Sequence, residues 1–247
     1  MGFQRQVQNL TTRQAVILAG GLGTRIASLS GGLPKALLPI AGRPFLHHLL
    51  EYLAGQGISR ALLLLGVGAD KVIAAANDVS ARNLAITTAV EPEPLGTGGA
   101  LRHALALLDD RFFLVNGDTF LRTRLSEIDV RHLSAPVPVA TLALTRFADA
   151  GQKGSVELNE EGFITRFLEK GKVGPGLINA GVYLIEKGGV RDIPAGRPVS
   201  LERDILPAWI NRGGHASLRG VVTDAYFVDI GLPEDYLGVI DGFPKES

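Results

Sequence analysis

Short apolar runs alternate with helically spaced apolar positions through the first half of the chain. Ala15–Ala19 is an apolar run flanked by polar residues and stopped by Gly20-Gly21, the pattern of a buried strand. Pro44–Gln56 opens on a proline suited to a first helical turn, carries apolar residues at helical spacing, and ends at Gly57. Ala61–Leu65 reads as the next strand, Asp70–Asn77 as a helix and Leu84–Ala89 as a third strand. Thr97–Leu108 reads as a helix and Phe112–Val115 as a fourth strand ending at Asn116-Gly117-Asp118. Strand and helix alternating at this spacing predict a mainly parallel sheet with helices on both faces.

The second half is richer in strands. Val137–Thr145, Ser155–Asn159, Phe163–Glu169 and Leu177–Ile185 carry strand patterns, with Glu160-Glu161-Gly162 as a hairpin turn. Ser200 is placed to cap a helix through Ile210, closed by Gly213-Gly214. Tyr226–Asp229 is the last predicted strand and Pro233–Ile240 the last helix. No linker-like segment divides the halves. The prediction is one α/β domain over 14–247, with residues 14–120 and 121–247 as its two halves, preceded by a polar, disordered lead-in at 1–13.

Composition narrows the function classes. The chain has 247 residues with 25 Lys+Arg against 25 Asp+Glu, so it lacks the basic surplus that nonspecific nucleic-acid binding needs. No apolar run approaches the roughly 18 residues of a membrane span, and the N-terminus has no apolar signal core. The absence of cysteine excludes disulfides, thiolate zinc sites and cysteine nucleophiles, and fits a cytoplasmic location. His47, His48, His103, His132 and His215 show no metal-ligand spacing, and Trp209 falls in a helical apolar pattern that reads as packing. Glycine, at 31 of 247, exceeds the usual share of about 7%, which points to backbone brought close to something.

The glycines gather after the first strand, in Leu18-Ala19-Gly20-Gly21-Leu22-Gly23-Thr24-Arg25, followed by Leu33-Pro34-Lys35. Such a loop exposes backbone N–H groups to an anion at the strand edge where open α/β folds bind ligands. Arg25 and Lys35 add two cations, enough to hold a polyphosphate; the plainer reading is a glycine-rich turn with incidental surface cations. It is not a P-loop, because the single Gly-Lys, Gly171-Lys172, is followed by Val173. It is not a dinucleotide fingerprint either, because Ile26 stands where a third Gly or Ala is required.

LAGGLGTR at Leu18–Arg25 and LPKALLPI at Leu33–Ile40 begin an ordered series with PLGTGGA at Pro94–Ala100 and NGD at Asn116–Asp118. It continues with EKG at Glu169–Gly171, INAGVY at Ile178–Tyr183 and FVDIGLPEDY at Phe227–Tyr236. In these blocks the chain resembles the sugar nucleotidyltransferases, and within them most the heptose 1-phosphate guanylyltransferases. The resemblance implies a Rossmann-like three-layer domain with a mixed, mainly parallel sheet and a strand-rich sugar-binding half. It also implies the reaction: a sugar 1-phosphate attacks the α-phosphorus of a nucleoside triphosphate, expected to be GTP, and pyrophosphate leaves. Such a reaction needs charge neutralisation and in-line positioning rather than a catalytic triad.

Carried over residue by residue, Arg25 and Lys35 match the cations on the triphosphate and its transition state. Ala19, Gly20, Gly21, Gly23, Thr24, Gly96 and Thr97 match the nucleotide loops. Glu91 stands where relatives read the base, and its carboxylate could accept from guanine; a surface role is the alternative. Asp118 and Asp229 match ligands for Mg²⁺, a cation that takes oxygen donors and shares its shell with phosphates; either alone could instead form a turn or cap. Gly154, Glu169, Lys170 and Asn179 match sugar-phosphate contacts, with a local turn as the alternative for Asn179. Leu232 and Ala36 depart from the family's common Thr and Pro without changing a charged role. Other readings are uridylyl or thymidylyl transfer, and a noncatalytic nucleotide-sugar-binding subunit. No nucleic-acid or membrane partner is expected, nor a β-helix after Asp229, and a homodimer is the default assembly.

Overall fold

The computed structural model describes residues 10–21, 26–79, 81, 83–150, 154–168, 174–213 and 217–244. The first half runs β1 (Gln14–Leu18), α1 (Ala27–Ser30), β2 (Pro39–Ile40), β3 (Arg43–Pro44), α2 (Phe45–Gly55), β4 (Arg60–Leu65), α3 (Ala69–Asn77) and β5 (Ala85–Val90). It continues through α4 (Gly96–His103), β6 (Arg111–Asn116), β7 (Thr119–Leu121) and α5 (Leu125–Leu133). The second half comprises β8 (Ala140–Phe147), β9 (Ser155–Leu158), β10 (Ile164–Leu168), β11 (Gly176–Glu186) and α6 (Lys187–Arg191). A π-helical turn over Leu201–Ile205 leads into α7 (Leu206–Gly213), then β12 (Leu218–Thr223), β13 (Phe227–Asp229) and α8 (Pro233–Leu237).

Strands of both halves share one sheet, with nine strands among the described residues. Its first part is parallel, with β1 between β6 and β4, and β5 outside β4. The long β11 then runs antiparallel to β6, β8 and β9, and β12 returns parallel to β8. The sheet is therefore mixed, as the sequence implies, with parallel pairing throughout the nucleotide half and, in the second half, between β8 and β12.

Alternation along the strands builds a core on each face. Ala15, Ile17, Leu63, Phe113 and Val115 point toward α2, while Val16, Leu62, Leu64, Phe112 and Leu114 meet residues of α4, α6 and α7. Each fully buried Leu or Phe contributes roughly 1.5–3 kcal/mol by leaving water. The result is helix, sheet and helix in three layers.

Several segments differ from expectation. The predicted Thr97–Leu108 helix is α4 followed by a 3-10 turn at Leu105–Leu107. The helix expected after Ser200 starts with wide π turns, although Ser200 does cap it, its Oγ accepting from Arg203 N at 3.2 Å. Residues 10–13, read as part of a disordered lead-in, are packed: Leu10 is buried, and the Thr11 and Thr12 hydroxyls donate to the Asp129 carboxylate at 2.6 and 2.9 Å. β7, α5 and β12 carry no strong pattern in the sequence. In α5 the reason is visible, because two of its buried positions are Asp129 and His132.

Candidate active site

The parallel register decides what meets at the sheet edge. Leu18 at the end of β1 lies opposite Leu64 of β4 and Asn116 of β6. Ala19 N donates to Leu64 O, Gly117 N to Leu18 O, and Glu91 N to Leu65 O, so the exits of four adjacent strands are tied in one row. Gly20-Gly21, Gly66, Glu91 and Asp118 follow directly. This is the carboxyl edge where open α/β sheets take ligands.

Two of these glycines are there for close approach. A Cβ on Gly20 would stand 2.9 Å from Gly66 N, and one on Gly117 would stand 2.5 Å from Leu18 O. Among the described residues nothing lies within 4 Å of the Cβ position of Gly21.

The edge opens into a cleft of about 470 Å³ lined by Gly20, Gly21, Lys35, Glu91, Gly96, Thr97, Asn116, Asp118 and Glu202, with Leu18, Leu64, Pro94 and Ala100 as its apolar part. Glu91 reaches across the loop ends. Its Oε2 accepts from Leu95 N at 3.0 Å, and its Oε1 lies 2.7 Å from the Cβ position of Gly66. Gly96 has φ +69° and its Cβ position is 2.7 Å from Val199 O, so a side chain there meets both strain and backbone.

Charge collects at the cleft mouth. Lys35, on a 3-10 turn at Lys35–Leu37, donates through Nζ to Asp118 Oδ2 at 2.9 Å. Asp229 comes from β13, which pairs with β7 so that Asp229 stands opposite Thr119; Ile230 N donates to Asp118 O. Lys35 Nζ, Asp229 Oδ1 and Asp118 Oδ2 all lie within 3.0 Å of the Cβ position of Gly231, a convergence that any side chain there would fill. Among the described residues no third His, Asp or Glu completes a metal cluster. Two carboxylates beside an open cleft fit a hard cation that keeps waters and takes phosphate oxygens, and not a closed structural site.

Of the expected sugar-side residues, the two described, Asn179 and Gly154, lie away from the cleft lining. Asn179 does not line the cleft. Its Nδ2 donates to Tyr183 OH at 2.6 Å and its Oδ1 accepts from Gly181 N at 3.1 Å. Tyr183 is fully buried, and that burial, with Glu202 beside it, pushes its phenol well above the ordinary value. Its OH donates to Glu202 Oε1 at 3.5 Å, while Glu202 Oε2 accepts from Thr97 Oγ1 at 2.9 Å and Ser200 Oγ at 3.2 Å. Asn179 therefore reaches the cleft wall, at Glu202, through Tyr183 alone. Gly154, at φ +77°, packs under Leu168 O and does not line the cleft either. Ala19 is buried in the strand ladder. Gly23, Thr24, Arg25, Glu169 and Lys170 lie outside the described residues.

Glu202, Asn116, Gly66 and Gly231 also belong to this region, although the sequence assigns none of them a role. Asn116 stands in the NGD block; its buried Oδ1 has no hydrogen-bond partner among the described residues, and the residue lines the cleft. Gly231 sat inside the last block. Glu202 and Gly66 had no comparable signal.

The nucleotidyl transferase family model matches residues 14–245. This chain belongs to that family. It is 34% identical over 223 residues to D-glycero-alpha-D-manno-heptose 1-phosphate guanylyltransferase of Campylobacter jejuni, covering 90% of this chain and 96% of the relative. It is 38% identical over 225 residues to mannose-1-phosphate guanylyltransferase of Mycobacterium tuberculosis, covering 90% of this chain but 62% of that longer protein. Among solved structures, HddC of Yersinia pseudotuberculosis superposes with a TM-score of 0.82 at 35% identity, covering 93% of this chain and 99% of HddC. HddC has also been solved complexed with GMP-PN, and that structure matches with a TM-score of 0.81. The nucleotidyltransferase fold, with its mixed sheet and flanking helices, is thus shared along nearly the whole chain.

Proposed function

We propose that this protein transfers a guanylyl group from GTP to a sugar 1-phosphate, a heptose 1-phosphate first among them, and releases pyrophosphate. The observation that carries this reading is the meeting of Lys35, Asp118 and Asp229 around Gly231, beside the glycine backbone of Gly20-Gly21. A phosphate oxygen of the sugar 1-phosphate forms the new bond to the α-phosphorus. The bond from that phosphorus to the bridging oxygen breaks, and pyrophosphate carries the electron pair away. The nucleophile is already an anion, so the protein has no proton to remove.

The work left to the chain is positioning and charge. Gly20 and Gly21 leave the strand end open to the triphosphate, and Lys35 brings an ammonium to where negative charge concentrates. Asp118 and Asp229 would hold Mg²⁺, which when bound would neutralise phosphate oxygens. Glu91, with one oxygen tied to Leu95 N, offers acceptors suited to the N1–H and exocyclic amine of guanine.

The test is a matrix of the four nucleoside triphosphates against a panel of sugar 1-phosphates with Mg²⁺, read by pyrophosphate release. GTP with a heptose or mannose 1-phosphate is expected to lead. No release from any pair by folded protein overturns the reading.

A further inference from the structure

We infer that a second cavity, behind the nucleotide loop, is a regulatory site for a phosphorylated monosaccharide. It has about 340 Å³ and lies between the Asp192–Ile205 segment and α7, with Ile193, Val199, Ile205 and Trp209 as its buried apolar part. A volume of this size falls within the range of small-molecule sites and below that of the catalytic cleft.

Its charged groups suit one class of ligand. Arg197 and Arg212 both line the cavity, both are exposed, and neither guanidinium has a hydrogen-bond or ion-pair partner among the described residues. Guanidinium forks match phosphate oxygens bidentately, so two unpaired forks around one cavity favour a phosphate. Asp192 and Asp204 line the same space, and Asp204 spends one oxygen on Ser200 N at 2.7 Å. Carboxylates accept hydrogen bonds but repel a second anion, so the rest of the ligand is neutral and rich in hydroxyls. A phosphate at one end and a polyol at the other is a sugar phosphate.

The cavity shares a wall with the active site. Val199 lines it, and Val199 O accepts from Gly98 N at 2.9 Å and Gly99 N at 3.2 Å, while Val199 N donates to Leu95 O. Two residues on, Leu201 N donates to Thr97 Oγ1 at 2.8 Å, and Glu202 faces the catalytic cleft. Ile193 O, at the other end of the segment, accepts from Arg102 Nε of α4 at 3.1 Å. One stretch of backbone thus serves as the rear wall of one cavity and the brace of the nucleotide loop in the other. A ligand that shifts Val199 shifts the loop, and the coupling is reciprocal: GTP must alter the ligand's affinity by the same factor.

The experiment titrates the protein calorimetrically with mannose 6-phosphate, inorganic phosphate and mannose separately, with GDP held at saturation in the catalytic cleft. Mannose 6-phosphate is expected to bind saturably, phosphate more weakly, and mannose not at all. Arg197→Ala/Arg212→Ala, two exposed changes checked by thermal melt, should weaken mannose 6-phosphate at least tenfold while keeping GDP affinity and basal activity. In wild type the probe should shift the KM for GTP at least twofold, and in the double variant not at all. Undiminished binding by the double variant, or no saturable binding by wild type, overturns the site. Phosphate binding as tightly as mannose 6-phosphate overturns the sugar half of the assignment. The binding readout does not depend on turnover, so its outcome is separate from that of the proposed transferase reaction.

Discussion

Lys35 Nζ and Asp118 Oδ2 are 2.9 Å apart, a pair that joins the turn after the glycine loop to the exit of the strand beside it. One of three ammonium protons is spent on the pair, and the other two remain for phosphate oxygens. The carboxylate thus fixes the ammonium at the cleft mouth, with both side chains only partly exposed.

Lys35→Ala should therefore lower kcat/KM by about 10²–10³-fold, the scale for losing one stabilising donor at a transition state. Lys35→Arg should recover little, because a planar fork cannot take the place of a compact ammonium here. Pyrophosphate release gives the rates. A thermal melt within a few degrees of wild type would confirm that the loss is chemical.

Gly20 and Gly21 should separate under the same substitution. Gly20→Ala pushes a methyl group against the Gly66 backbone and should cost about 1–3 kcal/mol of stability. Gly21→Ala meets nothing among the described residues and should leave the melt unchanged, yet weaken GTP binding because Gly21 lines the cleft. Denaturant melts and nucleotide titrations on both variants check this; equal melts would contradict the crowding at Gly20.

Chelation should silence the reaction and Mg²⁺ should restore it. Asp229→Asn should raise the Mg²⁺ concentration for half-maximal rate at least tenfold, since one of two carboxylate donors is lost. Rates across a Mg²⁺ series in wild type and variant read this out. An unchanged requirement would remove Asp229 from the metal site.

His132 sets a pH dependence far from the chemistry. Burial lowers its pKa below the ordinary 6.5, against the raising effect of Glu186, whose Oε1 lies 3.0 Å from Nε2. Below about pH 6.5 the unfolded chain takes up a proton that the folded protein resists. Its stabilising contribution is complete above 6.5 and is lost as the pH falls through the window beneath it. Melting temperatures at pH 7.5 and 5.5 should show a drop that is shallower in His132→Asn.

Tyr183→Phe should loosen the sugar side without touching substrate. The hydroxyl accepts from Asn179 Nδ2 and donates to Glu202 Oε1, so its removal takes both bonds from half-buried partners, at a cost of about 1 kcal/mol. The KM for the sugar 1-phosphate should rise more than kcat falls. Initial rates at varied sugar phosphate, beside a denaturant melt, measure both.

Much of this site was legible in the letters, and the exceptions have physical causes. Gly20-Gly21, Lys35, Asp118 and Asp229 stand at strand ends or turns within recognisable blocks, and the sheet register brings them together. Glu202 escaped because it sits in a π-helical turn, whose wide spacing breaks helical periodicity, and because its partner Thr97 is 105 positions away. α5 escaped because Asp129 and His132 occupy its inner face; Thr11, Thr12, Thr141 and Glu186 supply hydrogen bonds that no local pattern announces. For Asn179 the sequence offers a sugar contact or a local turn, and its use by Tyr183 and Gly181 is visible only in the fold.

The hydrogen bond from Gly117 to Leu18 has a wider meaning. It fastens the nucleotide loop and the acidic end of β6 to one parallel pair of strands, so the reacting centre inherits the rigidity of the sheet. Other cleft-lining residues hang from segments on either side, with Glu91 beyond β5 and Glu202 beyond β11. A lineage is then free to rewrite its choice of nucleotide or sugar by altering loops, while the point at which phosphorus changes partners stays where the strands put it.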